Sequence, residues 1–553
     1  MFKPKLLEAL QGYTRQRFYQ DVGAGITVGV VALPLAMAFA IASGLKPEAG
    51  LFTAIMAGFL ISALGGSRVQ IGGPAGAFIV IVYGILERYG LANLIIATAM
   101  SGVILFVMGL LRLGSLIRFI PVAVVIGFTN GIAVLIMVSQ LKDFFGLHVK
   151  AMPADFFGIL HTLSASMNTL NGEALGLALV CLVVLAFWQL ALPRLANAMP
   201  STKSFATIPG SIVVLVGATV ASKMMGLDVE TIASRFGNIP NSLPALAWPD
   251  FSWETAKFLL IPATTLALLG SIESLLCARI ADQMMADGPY GDRHDANQEL
   301  MAQGIANLVT PFFGGMPATG TIARTVTNVK NGGNSPVAGM VHAVTLLIVM
   351  LVAAPLAGDV PLAALSAILM FVAWNMGEWR EFVHLRQFRM TYRVTLLLVF
   401  LLTVIVDLTV AVEVGLIAAC LTFIYRISSL TRAEQVLAQD HPELVDHEAD
   451  VQAHRLYGAL FFGAVKLIEA IEENLPAKAL VVDLKNLIYI DTSGADALMS
   501  LARSCRKKQV RLIVCGLAHQ PLEMAQRCGL LHTLPDADLV PDLSHGLTLA
   551  LGR

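Results

Sequence analysis

From about residue 20 to about 428 the chain is a near-continuous series of apolar runs joined by short polar turns, and from about 429 onward charged residues become frequent. A membrane-crossing helix needs about 20 apolar residues. On that measure the first seven segments run about 22–43, 49–65, 75–87, 92–112, 118–141, 173–192 and 207–223. The second seven run about 257–279, 297–313, 319–330, 336–357, 360–376, 391–407 and 409–426. Several are too short to span alone, as half-helices and packed pairs are. The long connections, about 142–172 and 224–256, are too polar to be embedded. Seven segments, a loop and seven more predict an inverted repeat, because an odd-numbered unit duplicated in one chain inserts with opposite orientation. The repeats fall at about 20–225 and 255–428 within a transport domain at 20–428, preceded by an N-terminal arm at 1–19.

The third segment of each set is interrupted. One reads Gln70-Ile-Gly-Gly-Pro-Ala-Gly-Ala-Phe78 and the other Phe313-Gly-Gly-Met-Pro-Ala-Thr-Gly-Thr-Ile-Ala-Arg324. Irregular backbone is tolerated at membrane depth only where it is buried in protein or lines a cavity. Where a helix resumes, its free N–H groups carry partial positive charge, so two such starts make an anion site. The alternative is that the glycines only allow close helix packing.

The tail alternates short strands and helices. Strands are expected at Arg455–Phe461, Ala479–Asp483 and Val510–Val514, and helices over Val465–Asn474, about 494–507 and Pro521–Arg527. This is a small α/β domain at 438–553, after a linker at 429–437.

Composition agrees with the pattern: 56% of residues are hydrophobic and 14% charged, against about 25% charged in soluble domains. A net charge of −1 excludes a global field for nucleic acid. The six cysteines form no CxxC or metal-ligand spacing, so free thiols are expected, and neither metal nor cofactor is implied. No nucleophile–base set or nucleotide loop appears, so catalysis is not expected. With both termini inside, Arg112, Arg118, Arg194, Lys203, Arg279, Arg293, Arg380, Arg386, Arg389, Arg426 and Arg432 are cytoplasmic, and Asp228, Glu230 and Asp250 lie outside. The expected place is a bacterial inner membrane, with the tail in the cytoplasm.

Gly25–Phe39, Gly65–Phe78, Gly270–Cys277 and Gly314–Arg324 resemble the sulfate permease (SulP) family of anion transporters, which includes prestin and pendrin; Asp491-Thr-Ser-Gly494 resembles the signature turn of its STAS domain. The resemblance covers essentially the whole chain. It implies an α-helical polytopic fold of fourteen segments, with core and gate domains, a homodimer, an elevator motion, and a cytoplasmic STAS domain open to a protein partner. It places the substrate at the starts of the third and tenth segments, where the N–H groups of Ala75, Gly76 and Ala77 would face those of Thr319, Gly320 and Thr321. Thr319 and Thr321 would add hydroxyl donors. Phe39 and Leu35 would wall the site.

Two charged residues lie inside the apolar region. Arg324 follows a helix start, where the macrodipole repels a cation and the bilayer penalises charge. A bound anion offsets both; the alternative is a side chain that snorkels to the surface near Lys330. Glu273 is an intramembrane carboxylate, a functional candidate by default. Desolvation and a neighbouring anion both favour its protonated form, which makes it a proton-coupling group. Sodium-using members carry an aspartate here and a threonine four residues on. This chain has Glu273 and Cys277, and a thiol is a poor ligand for hard sodium. The alternative is a structural pair of Glu273 with Arg324. Asp407 and Glu413 read as surface turn residues, and His342 as either a proton relay or a packing histidine. Thr492 or Ser493 is expected at a helix N-cap, with a regulatory phosphorylation site as the second reading.

The expected function is proton-coupled uptake of a C4-dicarboxylate, because the Glu273–Cys277 stretch resembles members that move succinate or fumarate. Sulfate comes next, then bicarbonate. From other classes, an anion-gated channel or motor would use the same site, a nucleobase carrier shares the architecture, and the tail could act mainly as a scaffold.

Overall fold

The structure is a computed structural model that describes residues 2–115, 121–149, 152–153, 155–190, 209–237, 240, 242, 246, 251–286, 292–406, 408–437, 439, 441–445, 447, 449–535 and 538–552. Arg118, Arg194, Lys203, Asp250 and Asp407 lie outside the described residues. The chain divides into two compact units, Met1–Leu416 and Ile417–Arg553.

In the first unit the apolar runs form α1 (Arg15–Ala42), α2 (Pro47–Leu64), α3 (Ile79–Leu110), α4 (Val122–Phe144), α5 (Gly172–Leu190) and α6 (Gly210–Met225). After the outer connection come α7 (Leu260–Met285), α8 (Ala296–Val309), α9 (Ile322–Lys330), α10 (Pro336–Ala357), α11 (Leu362–Met376) and α12 (Met390–Ile405). The last, α13 (Leu408–Leu430), runs on into the second unit. The third and fourth expected segments are the two halves of α3, which breaks at Gly90, where φ is +82°. Only glycine adopts that backbone without strain. Each of the fourteen expected segments therefore overlaps a helix among the described residues. Among the described residues, seven helices are long and apolar enough to cross a membrane by length and composition. The connection at 142–172, expected to lie outside the membrane, contains a further short apolar helix, Phe156–Ala165.

Packing sorts these helices into two bundles. One holds α1, α2, α3 and α7 to α10; the other holds α4, α5, α6, α11 and α12. Lipid offers apolar side chains no advantage in pairing with each other, so close backbone approach at small residues carries the packing. A β-carbon on Gly50 of α2 would fall 1.9 Å from the Ala36 carbonyl oxygen of α1. β-carbons on Gly102 of α3 and Gly304 of α8 would fall 2.5–2.7 Å from backbone atoms of the facing helix. In the second bundle, Gly127 of α4 meets the Leu396 carbonyl of α12 in the same way.

The second unit carries a five-stranded sheet in the order β3 (Arg432–Gln435), β4 (Val451–Leu460), β5 (Ala479–Ile490), β6 (Arg511–Cys515) and β7 (Leu539–Val540). Only the β3–β4 pair is antiparallel. The parallel strands are linked through helices α14 (Val465–Glu473), α15 (Thr492–Lys507) and α16 (His519–Arg527), as parallel pairing requires, and α17 (Leu543–Ala550) follows the last strand. Residues alternate along β5: Leu480 and Val482 pack into one core with Leu498 and Leu501, and Ala479 and Val481 into another with Ile513 and Leu547. Two expectations are corrected. The linker at 429–437 is not a linker, because α13 extends to Leu430 and β3 already pairs with β4; edge-strand pairing outweighs its polar composition. The N-cap of α15 is Asp491, whose carboxylate accepts from Gly494 N at 2.8 Å, so Thr492 and Ser493 are the first helical residues.

Candidate anion site

The two interrupted segments meet. Gly72–Gly73 (β1) and Thr319–Gly320 (β2) pair antiparallel, Gly72 opposite Gly320 and Gly73 opposite Thr319. Each strand leads directly into a helix start: Ala75 caps the turn Gly76–Phe78 that enters α3, and Thr321 caps α9. The ribbon is pinned by the residues around it. Thr321 N and Oγ1 donate to the Ile71 carbonyl at 2.8 and 2.9 Å, Ile71 N donates to Thr325 Oγ1 at 3.0 Å, and Asn328 Nδ2 donates to the Val69 carbonyl at 2.9 Å. Thr319 Oγ1 donates to the Gly270 carbonyl of α7 at 2.9 Å.

These bonds correct part of the expected donor set. The hydroxyl protons of Thr319 and Thr321, and the Thr321 amide, are committed to carbonyls within the protein, and Thr319–Gly320 is strand rather than helix. The first amides of a helix are the ones without intrahelical acceptors. At the second start these belong to Ile322 and Ala323, three residues beyond Thr319 and Gly320, and at the first they belong to Gly76 and Ala77.

Ala75, Gly76 and Ala77 are buried. A β-carbon on Gly76 would lie 3.6 Å from Phe39 Cε1, 3.7 Å from Ile136 Cδ1 and 3.7 Å from Met376 Sδ. Phe39 therefore lies against this helix start, while Leu35 is buried a turn earlier on α1. Ile136 and Met376 come from α4 and α11 of the other bundle, so the site lies on the seam between the two bundles. Sequence reading missed both, since nothing in an apolar helix marks which face meets a partner bundle.

Arg324 is 1% exposed. Its Nη2 donates to the Pro74 carbonyl at 3.4 Å, and its Nη1 has no partner among the described residues. Nη1 occupies the place a side chain at Gly73 would take, 2.3 Å from that β-carbon position. The snorkelling alternative is thus excluded. Glu273 is half-buried on α7, and its Oε2 is buried without a partner among the described residues. No ion pair joins it to Arg324, so the structural-pair alternative fails as well. Cys277, one turn on, donates through Sγ to Thr325 Oγ1 at 3.3 Å.

A second carboxylate went unnoticed in the sequence. Glu299 of α8 is fully buried and accepts from Gly66 N at 2.9 Å, Gln303 Nε2 at 2.9 Å and Ser274 Oγ at 3.3 Å. Ser274 in turn accepts from Gln70 Nε2 at 2.9 Å. This network ties the approach to β1 to α7 and α8. The rule that singled out Glu273, a carboxylate inside an apolar segment, applies equally to Glu299.

Comparison with known proteins follows this geometry. Residues 18–399 match the model of the Sulfate permease family, and residues 444–543 match that of the STAS domain. YvdB of Bacillus subtilis (strain 168), a protein named for sulfate transport, is 41% identical over 531 residues, covering 95% of this chain and 96% of YvdB. The bicarbonate transporter BicA of Synechocystis sp. (strain ATCC 27184 / PCC 6803 / Kazusa) is 30% identical over 559 residues, 96% of this chain and 94% of BicA. The solved transmembrane domain of a cyanobacterial BicA superposes with a TM-score of 0.61 at 30% identity, covering 74% of this chain and 98% of that one. Murine Slc26a9 in the inward-facing state superposes with a TM-score of 0.85 at 19% identity, covering 100% of this chain and 94% of that one, which shows a shared fold. With its interrupted segments paired at a buried arginine, and relatives along nearly its whole length, the chain belongs to the sulfate permease family of anion transporters and carries a STAS domain at its C-terminal end.

Proposed function

We propose that this protein is a proton-coupled secondary transporter of a small oxyanion, with sulfate first among its substrates. The observation that carries the reading is the unpartnered Nη1 of Arg324, buried at the paired helix breaks. A buried cation with unmet hydrogen bonds is costly unless an anion compensates it. Gly76 and Ala77 amides supply further donors, and Glu273 carries the proton. An anion nearby repels the ionised carboxylate, so Glu273 loads a proton when the substrate loads and releases it when the substrate leaves. Cys277 offers sulfur where a sodium site needs oxygen.

Apolar side chains stand within one side-chain width of Gly76, which favours a compact ion over an elongated one. YvdB is named for sulfate and BicA for bicarbonate. A C4-dicarboxylate is the second reading, favoured by the Glu273–Cys277 stretch. In either case the bundle of α1–α3 and α7–α10 would carry the site past the bundle of α4–α6, α11 and α12 as an elevator. The chain would act as a homodimer in the inner membrane, with both termini and the STAS domain in the cytoplasm. Thr492, exposed, and Ser493, half-exposed, would offer a regulatory phosphorylation site at the start of α15.

The test is uptake of labelled sulfate, fumarate and bicarbonate into proteoliposomes under an inward proton gradient, for wild type and Glu273→Gln. Concentrative uptake of one anion, abolished in the variant, is the expected outcome. Equal concentrative uptake by Glu273→Gln would remove the proton role of Glu273, and uptake indifferent to the gradient would point to a channel.

A further inference from the structure

Behind the β1–β2 ribbon lies a second group of buried polar atoms. His342 on α10 is 0% exposed, and neither ring nitrogen has a partner among the described residues. Ser62 on α2 is 2% exposed, and its hydroxyl is likewise unpartnered. The two helices are in close contact here. A β-carbon on Gly58 would lie 3.4 Å from His342 Nδ1 and 3.3 Å from the Gly72 carbonyl oxygen, and one on Gly339 would lie 2.0 Å from Ser62 Oγ. The His342 ring and the Gly72 carbonyl thus both face the same point on α2, at Gly58, while the free Nη1 of Arg324 stands at the β-carbon position of Gly73.

An imidazole always has a donor, and when neutral an acceptor as well, and leaving both unmet in a dry interior is unfavourable. Such groups are retained where water or a changing charge state uses them. The charges around His342 are few. Arg324 is the charged group that meets the same ribbon, its Nη1 standing at the β-carbon position of Gly73, next to Gly72. On α1, Arg17 and Asp21 lie toward the start of α10, where Asp21 accepts from Ser335 N and Oγ. On the short helix Lys5–Ala9, which also packs against α10, Lys5 and Glu8 pair with each other at 2.8 Å. On α2 the facing groups, Gly58 and Ser62, are neutral.

We infer that His342 is a proton-binding site linked to anion occupancy, an inference that rests on the anion site proposed above. With the site empty of anion, the uncompensated guanidinium repels an imidazolium. A bound anion cancels that repulsion and adds an attraction, so His342 takes up a proton as the anion binds. Linkage is reciprocal: acid then tightens anion binding by the same factor. His342 thus acts as a positioning residue for substrate affinity, through Arg324, and is distinct from Glu273, which lies on another helix.

The experiment is equilibrium binding of labelled sulfate and labelled fumarate to the full chain in lipid nanodiscs from pH 8 to 5.5. The variants are Glu273→Gln, His342→Gln, His342→Asn, Arg324→Gln and Glu273→Gln combined with either His342 substitution, each checked for monodispersity. One linked proton gives at most about tenfold tightening per pH unit. The expected result is that Glu273→Gln keeps at least about threefold of that tightening per unit over its steepest range, that adding either His342 substitution to Glu273→Gln flattens the profile to within about twofold overall, and that the single His342 variants keep only the slope supplied by Glu273. Their alkaline-limit affinity should stay near wild type. An undiminished slope in both His342 variants, or its loss in Glu273→Gln alone, overturns the inference and leaves the anion site standing. Affinity unaffected by Arg324→Gln, or binding of neither anion to wild type, overturns the site itself and the inference with it.

Discussion

The amide and the hydroxyl of Thr321 donate to a single acceptor, the carbonyl oxygen of Ile71, at 2.8 and 2.9 Å. This doubled bond joins the two interrupted segments immediately beside the β1–β2 ribbon, so Thr321 holds the site together rather than offering its hydroxyl proton to an anion. Thr321→Val should keep the amide bond and lose the hydroxyl one, at a cost of about 0.5–1.5 kcal/mol. Thermal unfolding followed by size exclusion should show a lowered midpoint for Thr321→Val and near-wild-type behaviour for Thr321→Ser. The reverse order would mean that the hydroxyl serves no structural purpose.

Two glycines should respond differently to the same substitution. Gly50→Ala places a β-carbon 1.9 Å from a backbone oxygen on α1, which only separation of the helices relieves. The variant should express poorly and aggregate, as overpacked contacts do. Gly76→Ala meets nothing closer than 3.6 Å, so it should fold, yet its methyl group fills the space between Phe39, Ile136 and Met376 at the helix start. Normal purification with uptake reduced by an order of magnitude or more is the expected outcome for a steric block at the binding site. Full activity would place the anion elsewhere.

Met376 reaches the site from the opposite bundle, 3.7 Å from the Gly76 β-carbon position. Met376→Ala should widen the wall and shift preference toward larger anions. A pocket difference of this size changes discrimination by about tenfold or more. Competition of fumarate against labelled sulfate uptake measures it, and an unchanged inhibition ratio would show that Met376 does not border the substrate.

Thiol reactivity should separate buried from accessible cysteines in the STAS domain. Burial pushes the Cys505 thiol up to about 11 and the Cys515 thiol up to about 12. The thiolate is the reacting form, and it is scarce for both at pH 8. Cys528 is half-exposed. Maleimide treatment at pH 8 followed by peptide mapping should label Cys528 in minutes and leave Cys505 and Cys515 unmodified until denaturant is added. Raising the pH to 9 should change little, since both values lie well above it.

At the STAS signature turn the cap is Asp491, which accepts from Gly494 N and also from Phe462 N at 3.3 Å. Asp491→Ala should destabilise this domain by about 1 kcal/mol, the usual worth of an N-cap. Thr492→Ala, at an exposed first helical position, should change little. Hydrogen exchange across α15 distinguishes them; equal protection in both variants would refute the capping assignment.

The sequence by itself determined what depends on local composition and period. Apolar runs of spanning length must be helices, because the bilayer leaves the backbone no other partner. Gly-Gly and Pro at matching places in two repeats must interrupt them, and an arginine and a carboxylate inside such runs stand out against their surroundings. The short apolar, β-branched run at Ala479–Asp483 announced a strand of the tail's sheet. Tertiary structure alone decided which partners these groups meet. Thr319 and Thr321 are donors by residue type, but only the fold showed their protons spent on Gly270 and Ile71, with the free amides moved on to Ile322 and Ala323. Ile136 and Met376 are ordinary apolar residues until two bundles close around Gly76. Arg432–Gln435 is polar enough to read as a linker until β4 offers it an edge. Arg324 and Glu273, free to pair on paper, form no ion pair, and each keeps a buried polar atom without a partner among the described residues. Periodicity and composition are properties of neighbours in sequence, whereas hydrogen-bond satisfaction and charge pairing are settled among neighbours in space.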